Sequence, residues 1–221
     1  MYSVKEIFYT LQGEGANVGR PAVFCRFSGC NLWSGLEKDR ASSICTFCDT
    51  DFRGTDGEGG GKFKTGEDLA AAVWEKWPNN REDSACRPLV VCTGGEPLLQ
   101  LDDAAIKALH NCGFEIAIET NGTKPIPEGI DWSVVSPKGT AEVVVKECDE
   151  LKLVYPQPEA MPEKFAHIKA SHYYLSPMAD PHRDSADSLY RDKLTREVID
   201  YCLNYPRWRL NLQTHKIVNI A

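Results

Sequence analysis

The chain has 221 residues, 42% hydrophobic and 26% charged, proportions that suit one ordinary globular fold with a substantial core. A formal net charge of −7 and the lack of any long Lys/Arg run argue against a nucleic-acid partner, which would need its phosphates neutralised. No stretch approaches the ~18–20 apolar residues of a membrane span, and Lys5 and Glu6 interrupt the start where a signal peptide needs its apolar core, so a cytoplasmic chain without membrane contact is expected.

In chain order, residues 4–11 and 22–28 are predicted strands, the second through the run Ala-Val-Phe-Cys-Arg-Phe. Residues 54–61 hold five glycines with Asp56 and Glu58 and suggest a mobile surface loop. It is not a phosphate loop, because Gly61-Lys62 is followed by Phe63 rather than Ser or Thr. Thr65, with Asp68 three residues on, resembles a capping box opening a helix. That helix carries Leu69, Val73, Trp74 and Trp77 on its apolar face and is stopped by Pro78. A buried-strand run over 88–93 ends at Gly94-Gly95, and a helix over 102–111 follows, with Gly113 placed for its C-terminal cap. Residues 114–119, 132–136, 151–155 and 173–176 give short strands, 188–203 a long helix with Leu194, Val198 and Tyr201 at helical spacing, and 208–214 a last strand.

Strand–helix alternation of this kind implies a mostly parallel sheet with covering helices. The helices are too few for eight β/α units, so the expected fold class is α/β: a partial (β/α) barrel forming a single domain over residues 1–221. Polar residues at 119–121, 136–138 and 176–178 would line the rim at the strands' carboxyl ends, where α/β folds gather chemistry.

Nine cysteines in a chain without a targeting signal point away from a disulfide framework. Cys25, Cys86, Cys92, Cys112, Cys148 and Cys202 are scattered and read as small buried hydrophobes. Cys30, Cys45 and Cys48 cluster, with spacing Cys-x14-Cys-x2-Cys. Structural zinc is normally saturated by four protein ligands, and no histidine lies near this loop. A [4Fe–4S] cube held by three cysteines instead leaves one iron open to a bidentate ligand. Zinc with a distant fourth donor is the rival reading. Downstream, Thr93-Gly94-Gly95-Glu96-Pro97 follows a strand: its glycines permit close backbone approach, and Glu96 offers a carboxylate to an ammonium group. Alone, that motif is a common strand-to-helix turn.

Together the cysteine loop and Gly-Gly-Glu-Pro resemble the radical S-adenosylmethionine superfamily. The usual spacing there is Cys-x3-Cys-x2-Cys, and this chain departs from it by eleven inserted residues, while Phe47-Cys48-Asp49-Thr50 matches the aromatic-cysteine ending. The segments 7–15, 26–30, 118–122 and 136–138, with the ending Gln213-Thr214-His215-Lys216, narrow the resemblance to the 7-carboxy-7-deazaguanine synthase family, some members of which share the long spacing.

That resemblance implies conversion of 6-carboxy-5,6,7,8-tetrahydropterin to 7-carboxy-7-deazaguanine and ammonia, started by a 5′-deoxyadenosyl radical that takes hydrogen from substrate C6. It implies a cluster on Cys30, Cys45 and Cys48, with S-adenosylmethionine held by Phe47, Cys48, Asp49, Gly95, Ser136, Pro137, Lys138, Ser176, Pro177 and Met178. Substrate contacts fall on Leu11, Gln12, Gly13, Glu14, Arg26, Thr93 and the terminal Ala221, and Mg²⁺ on Thr50, with Asp49 and Asp51 flanking it. No side chain is assigned a catalytic step of its own, since the cofactor carries the chemistry. Arg26 suits a substrate carboxylate through a two-point grip, and pairing with a neighbouring acid is its structural alternative. Glu119 and Asn121 suit a ribose, or a plain strand-end turn. His215 reads more readily as a packing residue. A flavodoxin or ferredoxin as reductant and a homodimer are also implied. A radical activase of a protein glycine and a zinc-stabilised binding module are the alternative functions.

Overall fold

A computed structural model describes residues 1–78, 86–178 and 193–220. Among these, nine strands form one sheet: β1 (Tyr2–Leu11), β2 (Pro21–Phe27), β3 (Gly61–Phe63), β4 (Leu89–Gly94), β5 (Glu115–Thr120), β6 (Trp132–Val135), β7 (Glu147–Tyr155), β8 (Lys169–Pro177) and β9 (Arg209–Leu210). The order is β3-β1-β2-β4-β5-β6-β7-β8-β9. From β2 onward every pairing is parallel, while β1 runs antiparallel to both β2 and β3. The end strands β3 and β9 do not pair with each other, so the expected partial barrel is what the chain builds.

Four helices are described: α1 (Gly66–Lys76), α2 (Asp103–Asn111), α3 (Lys193–Asn204) and α4 (Thr214–Val218). Helix α1 starts where its capping chemistry dictates, since Thr65 Oγ1 accepts from the Asp68 amide and Asp68 Oδ2 from the Thr65 amide, both at 3.1 Å. Its Leu69 and Val73 join Leu109 of α2 and Phe27, Val90 and Ile118 of the sheet in one apolar core. A second core joins Leu151 and Leu153 of β7, Leu175 of β8 and Val198 of α3. No helix among the described residues is long and apolar enough to cross a membrane.

The structure departs from the sequence reading at several places. Strands β7 and β8 begin four residues earlier than predicted, at Glu147 and Lys169, because Glu150 and His172 face the barrel interior on paired strands rather than marking loops. The predicted strand over 208–214 is only two residues long, and α4 replaces its end once the Thr214 amide and hydroxyl both donate to the Gly13 carbonyl at 2.9 Å. The glycine-rich segment is no free loop: the Gly57 amide donates to the Lys5 carbonyl at 3.0 Å and the Ile7 amide to Glu58 at 2.7 Å, and the chain then joins the sheet as β3. A side chain on Gly57 or Gly60 would run into that Lys5 carbonyl, which explains the glycines. The first residues of the predicted helix over 188–203 lie outside the described residues. Of the six scattered cysteines, Cys25, Cys92 and Cys148 are buried, Cys112 and Cys202 half-buried and Cys86 exposed, so Cys86 is not the core residue expected of it.

Candidate active site

The loop holding Cys30, Cys45 and Cys48 leaves the carboxyl end of β2. Its root is fixed by the Gly-Gly-Glu-Pro turn, where the Gly95 amide donates to the Phe27 carbonyl at 3.1 Å and the Glu96 amide to the Gly29 carbonyl at 2.9 Å. A side chain on Gly95 would collide with Gly29, and Gly94 takes φ +130°, so both glycines are demanded by this close approach. Glu96 itself does not face a ligand. It is fully buried, and its carboxylate accepts from Leu98 N, Thr120 Oγ1 and Asn121 N at 2.8–3.0 Å. The role of ammonium acceptor expected from the sequence is therefore replaced by a structural one, tying the turn to the end of β5.

All three cysteines of the loop line one cavity of about 210 Å³ at the carboxyl rim. The Cys45 thiol donates to the Cys48 sulfur, which brings Cys48 down to about 6 against the pull of burial, while the same contact and burial push Cys45 up. Burial raises the Cys30 thiol. Among the described residues, no three His, Cys, Asp or Glu side chains converge on a point that would hold a single metal ion. Three thiols lining one cavity form the donor set that a three-cysteine iron–sulfur cluster would need. Phe47, Asp49, Gly95, Ser136, Lys138, Ser176 and Pro177 line the same cavity. Lys138 Nζ donates to the Ser136 carbonyl at 2.9 Å and to its hydroxyl, and burial pulls the ammonium down. Pro137 and Met178 stand beside this wall rather than in it: the Pro137 carbonyl accepts from Gln157 at 3.5 Å, and the Met178 amide donates to Tyr155 at 3.0 Å.

A second cavity of about 350 Å³ adjoins the first and is lined by Leu11, Gln12, Gly13 and Arg26. The two share a wall made of Glu14, Asp49, Thr50, Thr93, Glu119 and Gln213. Asp49 is held by Lys216 at 2.5 Å and Asp51 by Lys5 at 2.8 Å, so both carboxylates flanking Thr50 are engaged. Arg26 makes the acid pairing offered as its structural alternative and also borders the second cavity. Its Nε donates to Glu6 at 2.7 Å. His215 packs its ring on Gly13, as the packing reading expects, and also borders the same cavity, with burial lowering its pKa. Ala221 lies outside the described residues.

Between the cavities sits a charged cluster that sequence reasoning only half found. Lys152, on β7, reaches Glu14 at 2.5 Å and Glu119 at 3.4 Å with 8% of its side chain exposed. Gln213 donates to Glu14 at 2.9 Å, and Gln12 to Glu119 at 3.3 Å. Burial alone would raise the Glu14 carboxyl, but the charge and hydrogen bond of Lys152, with Gln213, hold it at about 2. Burial works against the Lys152 ammonium, and the carboxylates of Glu119 and Glu14 overcome it and raise the group. Glu14 is thus a fixed acceptor at neutral pH. Lys152 lies in the run Leu-Lys-Leu-Val, where its alternation with Leu151 and Leu153 reads as an ordinary solvated strand face.

No protein-family model matches the chain. It is 60% identical to a 7-carboxy-7-deazaguanine synthase of Caulobacter vibrioides and 57% identical to one of Bordetella pertussis, each over 219 residues and 99% of both chains. Its backbone is also similar to a crystal structure of QueE from Escherichia coli, with a TM-score of 0.68, 27% identity and coverage of 97% of this chain and 94% of that one.

Proposed function

Because the chain belongs to the 7-carboxy-7-deazaguanine synthase family, we propose that it converts 6-carboxy-5,6,7,8-tetrahydropterin to 7-carboxy-7-deazaguanine and ammonia as a radical S-adenosylmethionine lyase, with residues 1–221 acting as one catalytic domain. The observation that carries this reading is the pair of joined cavities, one bounded by three clustered cysteines and the other by Arg26, Gln12 and Glu14. A zinc module needs no such second cavity, and an activase of a protein glycine needs no arginine beside a confined polar wall.

Cys30, Cys45 and Cys48 would hold the [4Fe–4S] cluster. S-adenosylmethionine would lie along Phe47–Asp49, Gly95, Ser136–Lys138 and Ser176–Met178. When bound, these groups supply the one-electron reduction and hydrogen abstraction that no side chain provides. The chain's own residues bind and orient. Glu6 anchors Arg26 through Nε, so the two terminal nitrogens remain to grip the substrate carboxylate. Glu14, kept ionised by Lys152, accepts from the N–H groups of the pterin edge. Leu11, Gln12 and Gly13 form the floor under that edge, and Thr93 closes it from β4. Thr50 stands on the wall between the two cavities and would be the chain's own ligand to a Mg²⁺, which would supply positive charge against the substrate carboxylate. Ala221 as a further substrate contact rests on family resemblance alone, as do a homodimer and a flavodoxin or ferredoxin as reductant. All nine cysteines are free, which accords with a reducing, cytoplasmic setting.

The test is anaerobic reconstitution with iron, sulfide and a reductant, followed by mass detection of product from 6-carboxytetrahydropterin. Turnover that requires S-adenosylmethionine is expected. A reconstituted, cluster-bearing chain that leaves this pterin untouched would refute the assignment.

A further inference from the structure

The fourteen residues between Cys30 and Cys45 are more than a spacer. They contain a short 3-10 turn, Glu37–Ser42, and one side chain from it reaches back across the loop. Arg40 donates from Nη1 to the carbonyls of Thr46 at 3.1 Å and Cys48 at 2.9 Å. Its Nε is held by Glu37 at 2.8–3.0 Å, and its guanidinium lies over the Trp33 ring at 4.1 Å. Trp33 is in turn fixed by its indole N–H donating to the Leu36 carbonyl at 3.2 Å and by an edge contact with Phe52 at 5.6 Å. Both rings are buried and line the cavity that the three cysteines share.

Residues 45–50 have neither helix nor strand, so their carbonyls have no ladder to satisfy them. Arg40 supplies two of the missing partners, and the Ser43 hydroxyl lies 2.9 Å from the carbonyl of Cys45. A planar guanidinium can meet a carboxylate, two carbonyls and an aromatic face at once, whereas a lysine ammonium is a single compact point of donation. Only 15% of the Arg40 side chain is exposed, and its bond to the Cys48 carbonyl is the part-buried one, while those to Glu37 and Thr46 lie at the surface.

We infer that Arg40 is a positioning residue for the iron–sulfur ligands: it clamps the Cys45–Cys48 turn so that both thiolates are presented to the cluster. This rests on the functional reading above, in which those cysteines are the ligands. The clamp lies outside the apolar cores, none of which includes a residue from 31 to 50, so losing it should loosen the cluster without unfolding the sheet.

The test uses the full chain and its R40M and R40K variants, each reconstituted with iron and sulfide. Three quantities are read: iron and sulfide per chain, the rate at which a ferrous chelator strips the cluster, and the thermal midpoint of the cluster-free protein. R40M should lose its cluster roughly tenfold faster than the unaltered chain, the usual scale for removing a group that orients a metal ligand. R40K should fall between the two, and the cluster-free midpoints should agree within a few degrees. If R40M does not fold, R40K decides alone. Chelator loss from R40K at the rate of the unaltered chain overturns the clamp. An unaltered chain that takes up no cluster overturns the functional reading instead.

Discussion

On β7, Leu151 and Leu153 join the apolar core with Val198 of α3, while Glu150 and Lys152 face the barrel interior. The same division holds on β5, where Ile116 and Ile118 join the core with α1 and α2, and Ala117 and Glu119 face the interior. One face of the sheet thus carries the two large apolar cores, and the other a concavity where charged groups pair with one another beside a small apolar cluster of Ala22, Leu89, Val91 and Ala117. Stability and function are assigned to opposite sides of the same strands, and the cysteine loop belongs to neither.

The sharpest way to break that comparison is at the loop. Cys45→Ala should abolish turnover, while the melting curve of the cluster-free chain barely moves, because Cys45 is buried outside every apolar core. Lys152→Met probes the concave face and should cost about 3–5 kcal/mol, since it leaves the Glu14 carboxylate buried without its cation. The pH dependence sharpens this. Glu14 is depressed from 4.5 to about 2, so its contribution is complete above pH 4.5 and fades as the pH falls toward 2. In the methionine variant burial acts unopposed by Lys152 and lifts the folded-state Glu14 carboxyl, so the acid-side loss of stability should shrink or reverse in a stability–pH titration, because protonation then relieves a buried charge. On the opposite face, Leu153→Ala should cost about 2–4 kcal/mol by opening a cavity, with kcat per folded molecule unchanged. Arg26→Lys should have the smallest effect on stability and raise KM for the pterin about tenfold, because lysine keeps the charge but loses the two-point grip. A rise in KM with kcat held would place Arg26 in binding rather than in the chemical step.

The apolar seam was the legible part of the sequence. The apolar runs at 22–28 and 88–93, the Thr65–Asp68 box and the spacing of Leu69 and Val73 each report burial or an element end directly, and these elements are in place. The concave face was legible only through motifs. Cys30, Cys45, Cys48, Gly95, Ser136 and Thr93 come together at one rim because parallel strands deliver their carboxyl ends to the same side. Lys152 was missed because a lysine alternating with leucines looks like a solvated strand face; nothing local reveals that the sheet curls around it. Glu96 was misjudged for the opposite reason, since a carboxylate beside two glycines looks available for a ligand, whereas three hydrogen bonds to β5 and its own turn consume it. Arg40 drew no notice because its partners are backbone carbonyls, which carry no sequence signature.

The most direct measurement is the electron paramagnetic resonance spectrum of the reduced, reconstituted chain, recorded with and without S-adenosylmethionine. A three-cysteine site predicts a cluster signal that changes shape when the cofactor's amino and carboxylate groups bind the fourth iron. A cluster signal indifferent to the cofactor would mean that the chain itself fills every iron, contradicting the account at its root.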